Sequence, residues 1–589
     1  MSSNAQITRL FNEMADLLEL FEANPFKVRA YRRGAQAVDA LSEDVAQRAA
    51  EGTLEEIPGI GRDLAAKIRE HLAEGSIAEL EELRAEVPAV RVQMTRIPGL
   101  GPRNAIRLHQ ELGIEDLEGL ATACREDRVA VLKGFGAKSQ QNILEGLEFL
   151  KRASERRPLG TVLDVAGEIT AALREAEGVA EVSVAGSLRR MKETVKDIDL
   201  VAAAADPGPV MEAFTTHSRT ARVLAQGQTK ASIRTEDDLQ IDLRVVEPAV
   251  FGAALMHFTG SRAHNIRLRE RAAARDIRIN EYGIFDVSGL SAEEAEDPPA
   301  ERRLAADTEE ACFEALGLPF IPPELREDAG EVEAALEDRL PVLVTPGDIR
   351  GDLHAHTDAS DGRQTLEELV AAARRLGYAY IGVTDHSQSL KLADGLDLDR
   401  MRWQIDRVRE LDARTDDIRI MVGTEVDILK DGSLDYPDEL LTELDIVIGS
   451  IHTNFRLDLQ TQTRRLITAM QNPLLVAIGH PTGRLLGERE AYQVDIEAVI
   501  AEAARTGTAL EINANPRRLD LNDRNARQAS RAGVPILIST DAHRTGQLDF
   551  MHFGVRVARR AWLEPADIVN TRGPDDLLEV LHRKRKVRG

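Results

Sequence analysis

From Asp348 onward one pattern dominates the chain: a short apolar strand runs into a histidine or a carboxylate, and a segment with helical spacing follows. The strands read YIGVTDH, IMVGTEVDI, DIVIGSIH, LLVAIGH, ALEINAN and PILISTDAH. Alternation of this kind predicts a parallel barrel or a doubly wound sheet. In a barrel, residues at strand C-termini converge on one mouth. Seven of the 13 histidines lie between Asp348 and Asp576, and six of those seven stand at strand ends. They are His354 and His356 in DLHAHTDASDG, His386 in VTDHS, His452 in GSIHTN, His480 in IGHPTG and His543 in STDAH. Asp361, Glu425 and Asp541 occupy the same segments. A lone histidine on such a strand is usually a satisfied core residue, but core packing does not place six of them beside three carboxylates. Imidazoles mixed with carboxylates suit Zn²⁺, Mn²⁺ or Fe²⁺ better than Mg²⁺. Nine donors exceed what one ion takes, so two or three ions sharing bridging groups are expected.

A second constellation lies upstream, between Thr161 and Leu290, where strands such as VAEVSVAG, DIDLVAAA and LQIDLRVV mix with helices. Gly186-Ser187-Leu188-Arg189-Arg190 precedes Asp197-Ile198-Asp199 by a short loop. Alternate strand residues share a face, so Asp197 and Asp199 point together. Asp242 sits in another strand-like stretch, QIDLRVV. Alone, an Asp-x-Asp pair is usually a solvated strand end; the Gly-Ser turn and the third aspartate change that reading. Such a triad holds two divalent cations, Mg²⁺ or Mn²⁺. One activates an attacking 3′-hydroxyl, and the other binds a triphosphate and the departing pyrophosphate. Gly186 makes the turn, and Ser187 and Arg190 are placed to hold phosphate oxygens, the guanidinium through its fixed donor fork.

The first 155 residues are rich in helix formers, and one small pattern recurs in them: IPGIGRDLAAKI from Ile57, IPGLGPRNAIRL from Ile97 and a weaker LKGFGAKSQQNIL from Leu132. Gly59, Gly61, Gly99 and Gly101 permit tight turns at helix N-termini, whose free N–H groups suit a DNA phosphate without reading a base. The alternative for a single copy is an ordinary helix joint that needs glycine. The net charge of −25 excludes binding of nucleic acid by bulk electrostatics and leaves room for a local basic groove. Binding through such a groove is expected to be weak without divalent metal and to fall quickly with salt.

Cys124 and Cys312 are the only cysteines, so disulfides carry no part of the fold. A reducing, cytoplasmic setting near the nucleoid fits. No apolar run approaches the roughly 18–20 residues that span a bilayer, and MSSNAQITRL lacks a signal-peptide pattern. Pro298 to Pro346 reads as an exposed connector with short helices. The terminal Arg583-Lys-Arg-Lys-Val-Arg588 reads as a solvated tail, with a phosphate contact as the alternative.

The repeats resemble the helix-hairpin-helix motifs of DNA repair proteins. The aspartate triad resembles the family X DNA polymerases of the nucleotidyltransferase superfamily, and His257-Phe258-Thr259-Gly260-Ser261 and Asn280-Glu281-Tyr282 extend the match. That resemblance implies that the pair before Thr-Gly-Ser lies against the incoming sugar. It further implies that Gly260 and Ser261 belong to the nucleotide site, that Asn265 touches the base and that Arg269 contacts the template. His257 stands where a tyrosine is common, which bears on ribonucleotide discrimination. Lys67 falls at the position of a Schiff-base lysine in members with deoxyribose-phosphate lyase activity, with Lys27 and Tyr31 at flanking positions and Asp63 replacing a basic residue. The histidine-rich part resembles the PHP (polymerase and histidinol phosphatase) domain. By that resemblance His354, His356, Asp361, His386, Glu425, His452, His480, Asp541 and His543 bind a trinuclear cluster. Thr384 and Asp385 support it, and Arg484 clamps a substrate phosphate.

The implied multidomain architecture is α-helical helix-hairpin-helix at the start, an α+β nucleotidyltransferase palm and thumb, and a C-terminal α/β distorted (β/α)7 barrel. Its expected limits are 1–85 and 86–155 for the helical parts, 156–257 palm, 258–318 thumb, 319–346 linker, 347–575 PHP and 576–589 basic tail. The implied activity is template-directed filling of short gaps in DNA repair by a monomer acting on gapped or nicked DNA with deoxynucleoside triphosphates. A metal-dependent 3′-5′ exonuclease accompanies it, with abasic-site cleavage and 3′-phosphate removal as extensions. The rival readings are a repair nuclease with a vestigial polymerase site and a polymerase whose PHP domain is only structural.

Overall fold

A computed structural model describes residues 3–21, 24–39, 41, 44–95, 97 and 100–581. The chain divides into two units, 1–155 and 156–589. In the first, helices from Ser3–Leu20 to Ala137–Glu155 enclose one apolar core. The glycine repeats have a double role there. Their apolar positions Ile57, Ile60, Leu64 and Ile68, and Ile97, Leu100, Ile106 and Leu108, are buried. Gly59, Gly61 and Gly101 between them remain exposed.

The second unit begins with the helix Leu159–Arg174, whose Leu159, Val162, Ala166, Ile169 and Leu173 recur every three or four residues and face inward. It packs on a five-stranded sheet of order Val179–Val184, Asp197–Ala204, Gln240–Val246, Lys230–Arg234, Arg222–Gln226. In Gln240–Val246 the strand period is plain: Ile241, Leu243 and Val245 are buried, while Gln240, Asp242 and Arg244 occupy the other face. Helices Phe251–Thr259 and Arg262–Ala273 then lead into a small antiparallel sheet and the helix Glu309–Ala315.

The segment after it is not the exposed connector that its proline content suggests. Ile321, Leu325, Arg326, Glu331 and Val332 are buried, and Arg559 of the barrel holds Glu324 at 2.7 Å. Proline lacks an N–H, so a proline-rich chain can lie in a groove without leaving donors unsatisfied.

Seven parallel strands follow in sequential order: Gly351–Asp352, Tyr380–Val383, Arg419–Asp427, Ile446–Ser450, Ala477–Ile478, Ala509–Asn513 and Ile536–Ser539. A further parallel bridge, Ala355 to Ala542, joins the chain just beyond the first and last strands, with His356 N donating to Ala542 O at 2.9 Å. This nearly closes the barrel expected for the C-terminal part. Its helices are locally encoded. Leu366–Arg375 starts at a reciprocal Thr365–Glu368 cap, ends on Arg374 and Arg375, and turns Leu366, Leu369 and Val370 inward. Residues 576–581, expected as tail, belong to the helix Pro574–Leu581, whose Leu577 and Leu581 are buried under the barrel. The basic residues beyond lie outside the described residues. Palm and barrel share a continuous core, and at Gly160 a Cβ would meet Pro516 at 2.5 Å, so only glycine lets these parts approach so closely. No helix among the described residues is long and apolar enough to cross a membrane.

Candidate active sites

The palm aspartates are brought together by register. The strand Asp197–Ala204 runs parallel to Gln240–Val246 with Asp199 opposite Asp242, so Asp197, Asp199 and Asp242 share one face. Ser232, opposite Asp242 on the next strand, donates to one carboxylate oxygen, and Gln240 Nε2 donates to the other at 3.0 Å. Burial and the neighbouring Asp197 and Asp242 push Asp199 up to about 6, and burial with Asp242 raises Asp197. Three half-buried carboxylates that repel one another form a donor set suited to divalent cations. Gly186 makes the turn possible: its φ is +59°, and a Cβ there would collide with the Asp199 carboxylate.

Around this face the other expected nucleotide contacts take distinct places. Ser187 stands half-buried in the turn. Arg190 is tied down, its Nε donating to Glu327 Oε1 at 3.0 Å and its Nη1 to Thr259 O at 2.8 Å. His257 packs edge-on against Phe258 with centroids 4.9 Å apart, and Arg244 lies over the Phe258 ring at 4.4 Å. Burial holds His257 below its ordinary value, so its ring is neutral near pH 7. Asn265 Nδ2 donates to His257 O at 2.7 Å, while Gly260 ends one helix and Ser261 Oγ caps the next by accepting from His264 N at 3.1 Å. Arg269 is exposed on that next helix.

In the barrel all nine expected donors meet at the mouth formed by the strand C-termini. His354 Nε2 is 3.4 Å from Glu425 Oε2, and His356 Nε2 is 3.2 Å from Asp541 Oδ1. His386 Nε2 and His543 Nε2 lie 3.5 and 3.3 Å from Asp361 Oδ1. His452 Nε2 and His480 Nε2 approach Glu425 Oε1 at 3.3 and 2.9 Å. Three overlapping groups have ligand atoms within 4.8 Å of one another: His356, Asp361, His386 and His543; His354, His356, Glu425 and Asp541; and His386, Glu425 and His452. His356, His386 and Glu425 each belong to two of them. Barrel closure matters here, because the Ala355–Ala542 bridge sets the His354-Ala-His356 segment beside Asp541-Ala-His543. His354 Nε2, Asp361 Oδ1 and Glu425 Oε2 are buried with no hydrogen-bonding partner. Buried polar atoms are rarely left so, and ligation by cations would satisfy them.

The charge state follows from the packing. Burial lowers His452 and His543, but Glu425 and Asp427 outweigh it for the first, which reaches about 10, and Asp361 and Asp541 for the second, which reaches about 9. Burial with His543 and His386 nearby drives His356 down to about 3. Asp361 is half-buried, yet the three imidazoles around it bring it down to about 2.

An outer ring was not foreseen from the sequence. His354 Nδ1 lies 2.7 Å from Glu511 Oε1, and His452 Nδ1 lies 2.9 Å from Asp427 Oδ1. Such contacts fix the tautomer and turn the other ring nitrogen toward a metal. The available signal was a carboxylate inside an apolar strand: Glu511 in ALEINAN, and Asp427 two residues beyond Glu425 on the same strand face. Asp385 accepts from Thr357 N and Ser360 Oγ, and Thr384 Oγ1 bonds the Ala355 backbone, so both brace the segment that carries His354 and His356. Arg484 does not face a substrate: Glu193 of the palm takes its Nη2 at 2.6 Å, and the carbonyls of Arg518 and Leu519 take further donors. The guanidinium that borders the cluster is Arg518, with Nε 3.6 Å from Asp541 Oδ2.

In the separate N-terminal unit the helices Arg62–Glu74 and Pro102–Leu112 begin at Gly61 and Gly101 with no side-chain cap; the first turn of the former offers its leading N–H groups to an anion, whereas the latter starts on Pro102, which has none. Gly59 takes φ +95°; Gly99 lies outside the described residues. Lys67 Nζ is 2.6 Å from Glu79 Oε2, and Lys27 and Tyr31 reach the same carboxylate.

Family comparisons agree with this layout. Residues 2–77 match a helix-hairpin-helix domain, 92–148 a SAM-like helix-hairpin-helix tandem, 254–327 the DNA polymerase beta thumb and 352–515 the PHP domain. A Bacillus subtilis (strain 168) protein named DNA polymerase/3'-5' exonuclease PolX is 40% identical over 579 residues, spanning 98% of this chain and 99% of that protein. A probable phosphatase of Syntrophotalea carbinolica is 30% identical over 229 residues, 37% of this chain and 90% of its own length.

Proposed function

Because this chain belongs to the family X DNA polymerases that carry a C-terminal PHP domain, we propose that it fills short gaps at the palm and trims 3′ ends at the barrel. It is a DNA polymerase and a 3′-5′ exonuclease. The observation that carries the assignment of sites is that both donor sets are complete on one chain: the Asp199–Asp242 register with Asp197 beside it, and in the barrel eight donors in overlapping groups with His480 against Glu425 as the ninth.

At the palm, Asp197, Asp199 and Asp242 would hold Mg²⁺ or Mn²⁺. Ser187 and Arg190 orient the triphosphate, while His257 and Phe258 lie against the sugar, Asn265 reads the base edge and Arg269 meets the template. In the barrel His354, His356, Asp361, His386, Glu425, His452, His480, Asp541 and His543 would hold two or three ions of Mn²⁺, Zn²⁺ or Fe²⁺. Bound there, such ions supply a nucleophilic water at neutral pH and Lewis acidity toward phosphate oxygens. Glu511 and Asp427 keep His354 and His452 aimed inward, and Arg518 supplies a positive charge for the scissile phosphate. Abasic-site cleavage and 3′-phosphate removal are extensions that this site can accommodate.

Gly59, Gly61 and Gly101 present backbone N–H groups to DNA phosphates; gapped or nicked DNA is the shared substrate, and the protein works as a monomer in the cytoplasm on nucleoid DNA. The complete aspartate triad disfavours a nuclease with a vestigial polymerase site, and the complete barrel donor set disfavours a purely structural PHP domain. The test is incorporation into duplexes with gaps of different length and each templating base. Correct, gap-dependent insertion supports this function, and insertion that ignores the template contradicts it.

A further inference from the structure

Residues 190–193 connect the Gly186–Arg189 turn to the strand bearing Asp197 and Asp199, and the barrel grips them from two sides. Arg560, the last residue of the helix Met551–Arg560, donates Nη1 to the Arg190 carbonyl at 2.6 Å and to Glu327 Oε1 at 3.1 Å. Its Nε is fixed to Asp523 Oδ2 at 2.8 Å. Arg484, four residues beyond His480, holds Glu193. The same Glu327 oxygen that Arg560 reaches also accepts Arg190 Nε at 3.0 Å, with Lys192 Nζ at 3.7 Å. Exposure of these side chains is 11% for Arg190, 20% for Glu327 and 5% for Arg560, so solvent screens the contacts weakly.

We propose that Glu327 and Arg560 form a latch on Arg190, through which the barrel domain sets the affinity of the polymerase site for its nucleotide. This rests on the reading that Arg190 receives the triphosphate. With its Nε on Glu327 and Nη1 on the Thr259 carbonyl, Arg190 has donors engaged that a phosphate would need, so nucleotide binding and the Glu327 pair compete. A half-buried carboxylate stripped of its cations is costly. Arg560 lowers that cost, because it already touches the same oxygen and keeps Glu327 paired when Arg190 leaves. Without Arg560, release of Arg190 leaves Glu327 with Lys192 alone, and the latch stays shut. Arg560 is thus a positioning residue for polymerisation and has no part in hydrolysis. A substrate-free molecule is held in a safe resting state, and the release is shared between domains.

The experiment uses the full-length protein and steady-state gap filling with a varied deoxynucleoside triphosphate. Arg560→Gln is expected to raise KM about tenfold, within the usual span of coupling between sites. The polymerase kcat and the exonuclease rate stay close to those of the unsubstituted protein. Arg560→Lys, which can still reach Glu327, recovers most of the loss. Glu327→Gln lowers KM or leaves it unchanged, and in that background Arg560→Gln has little further effect, since the two act through one contact. An unchanged KM in Arg560→Gln, or the same increase with and without Glu327→Gln, overturns the latch. So does a matching fall in exonuclease rate and melting temperature. Arg190→Ala separates the premises: if it leaves KM unchanged, the triphosphate role of Arg190 fails and the latch with it. If it raises KM while Arg560→Gln does not, only the latch fails.

Discussion

His354 and Glu511 are both fully buried, and the 2.7 Å contact between Nδ1 and Oε1 assigns the imidazole proton to Nδ1 and points Nε2 at Glu425 and Asp541. Glu511 Oε2 also accepts from the backbone N of His480 at 2.5 Å, so one carboxylate aligns two ligand segments. Replacing Glu511 by alanine is expected to cut the exonuclease rate by about 10- to 100-fold, as for supporting groups of other metal sites. Primer extension by the same preparation should stay within twofold. Equal exonuclease rates would show that the contact does not orient His354.

Arg518 borders the cluster, whereas Arg484 is consumed by Glu193. A fixed positive charge beside the scissile phosphate is worth roughly 10- to 1,000-fold in rate at comparable sites. Arg518→Ala should therefore lower exonuclease kcat/KM on single-stranded DNA by at least about tenfold without reducing metal content measured by mass spectrometry. A loss of bound metal equal to the loss of rate would instead make Arg518 a support for Asp541.

The barrel histidines predict proton release on metal uptake. His452 and His543, raised to about 10 and about 9, are protonated at pH 7.5 in the metal-free protein. Groups raised in the folded state stabilise it fully below their ordinary value and lose that contribution as pH rises through the raised one. The metal-free protein should thus melt at falling temperature between about pH 7 and 10. Adding Mn²⁺ at pH 7.5 should release these two protons and one from His354, which Glu511, Glu425 and Asp541 hold well above its ordinary value, visible as a binding heat that varies with buffer ionisation enthalpy. A heat independent of buffer would contradict the charge states given for these three rings.

Lys67 bears on lyase chemistry. Burial lowers its pKa, but Glu79 and Asp63 outweigh burial and raise it, so the amine stays protonated near neutral pH. A Schiff base requires the neutral amine. Borohydride trapping on an abasic-site DNA should accordingly increase with pH in the unsubstituted protein, and Glu79→Gln should move that rise to lower pH. Identical pH profiles, or an adduct that survives Lys67→Ala, would remove Lys67 from this role.

Much of this is legible in the sequence. The barrel and its nine donors follow from period and position, since a histidine at the end of an apolar strand has only the mouth to face. Asp197 and Asp199 follow from the two-residue strand period, but the alignment of Asp242 with Asp199 is a register that no local pattern states. What stayed hidden depends on contacts distant in sequence. Glu511 pairs with a histidine 157 residues away, and Arg484 with a palm glutamate 291 residues away. The burial of Arg326 arises from its fit against Glu309, Phe313 and Phe320. Composition marked that stretch as exposed because proline is frequent in loops, and local sequence carries no record of the groove that receives it.

The most direct test of two independent sites on one chain is a single gapped, 5′-labelled primer–template incubated with Mn²⁺, with and without deoxynucleoside triphosphates. Asp242→Ala should abolish extension and still shorten the primer, whereas His356→Ala should extend it and no longer shorten it. Extension by Asp242→Ala, or shortening by His356→Ala, would contradict the assignment of the two activities to these two sites.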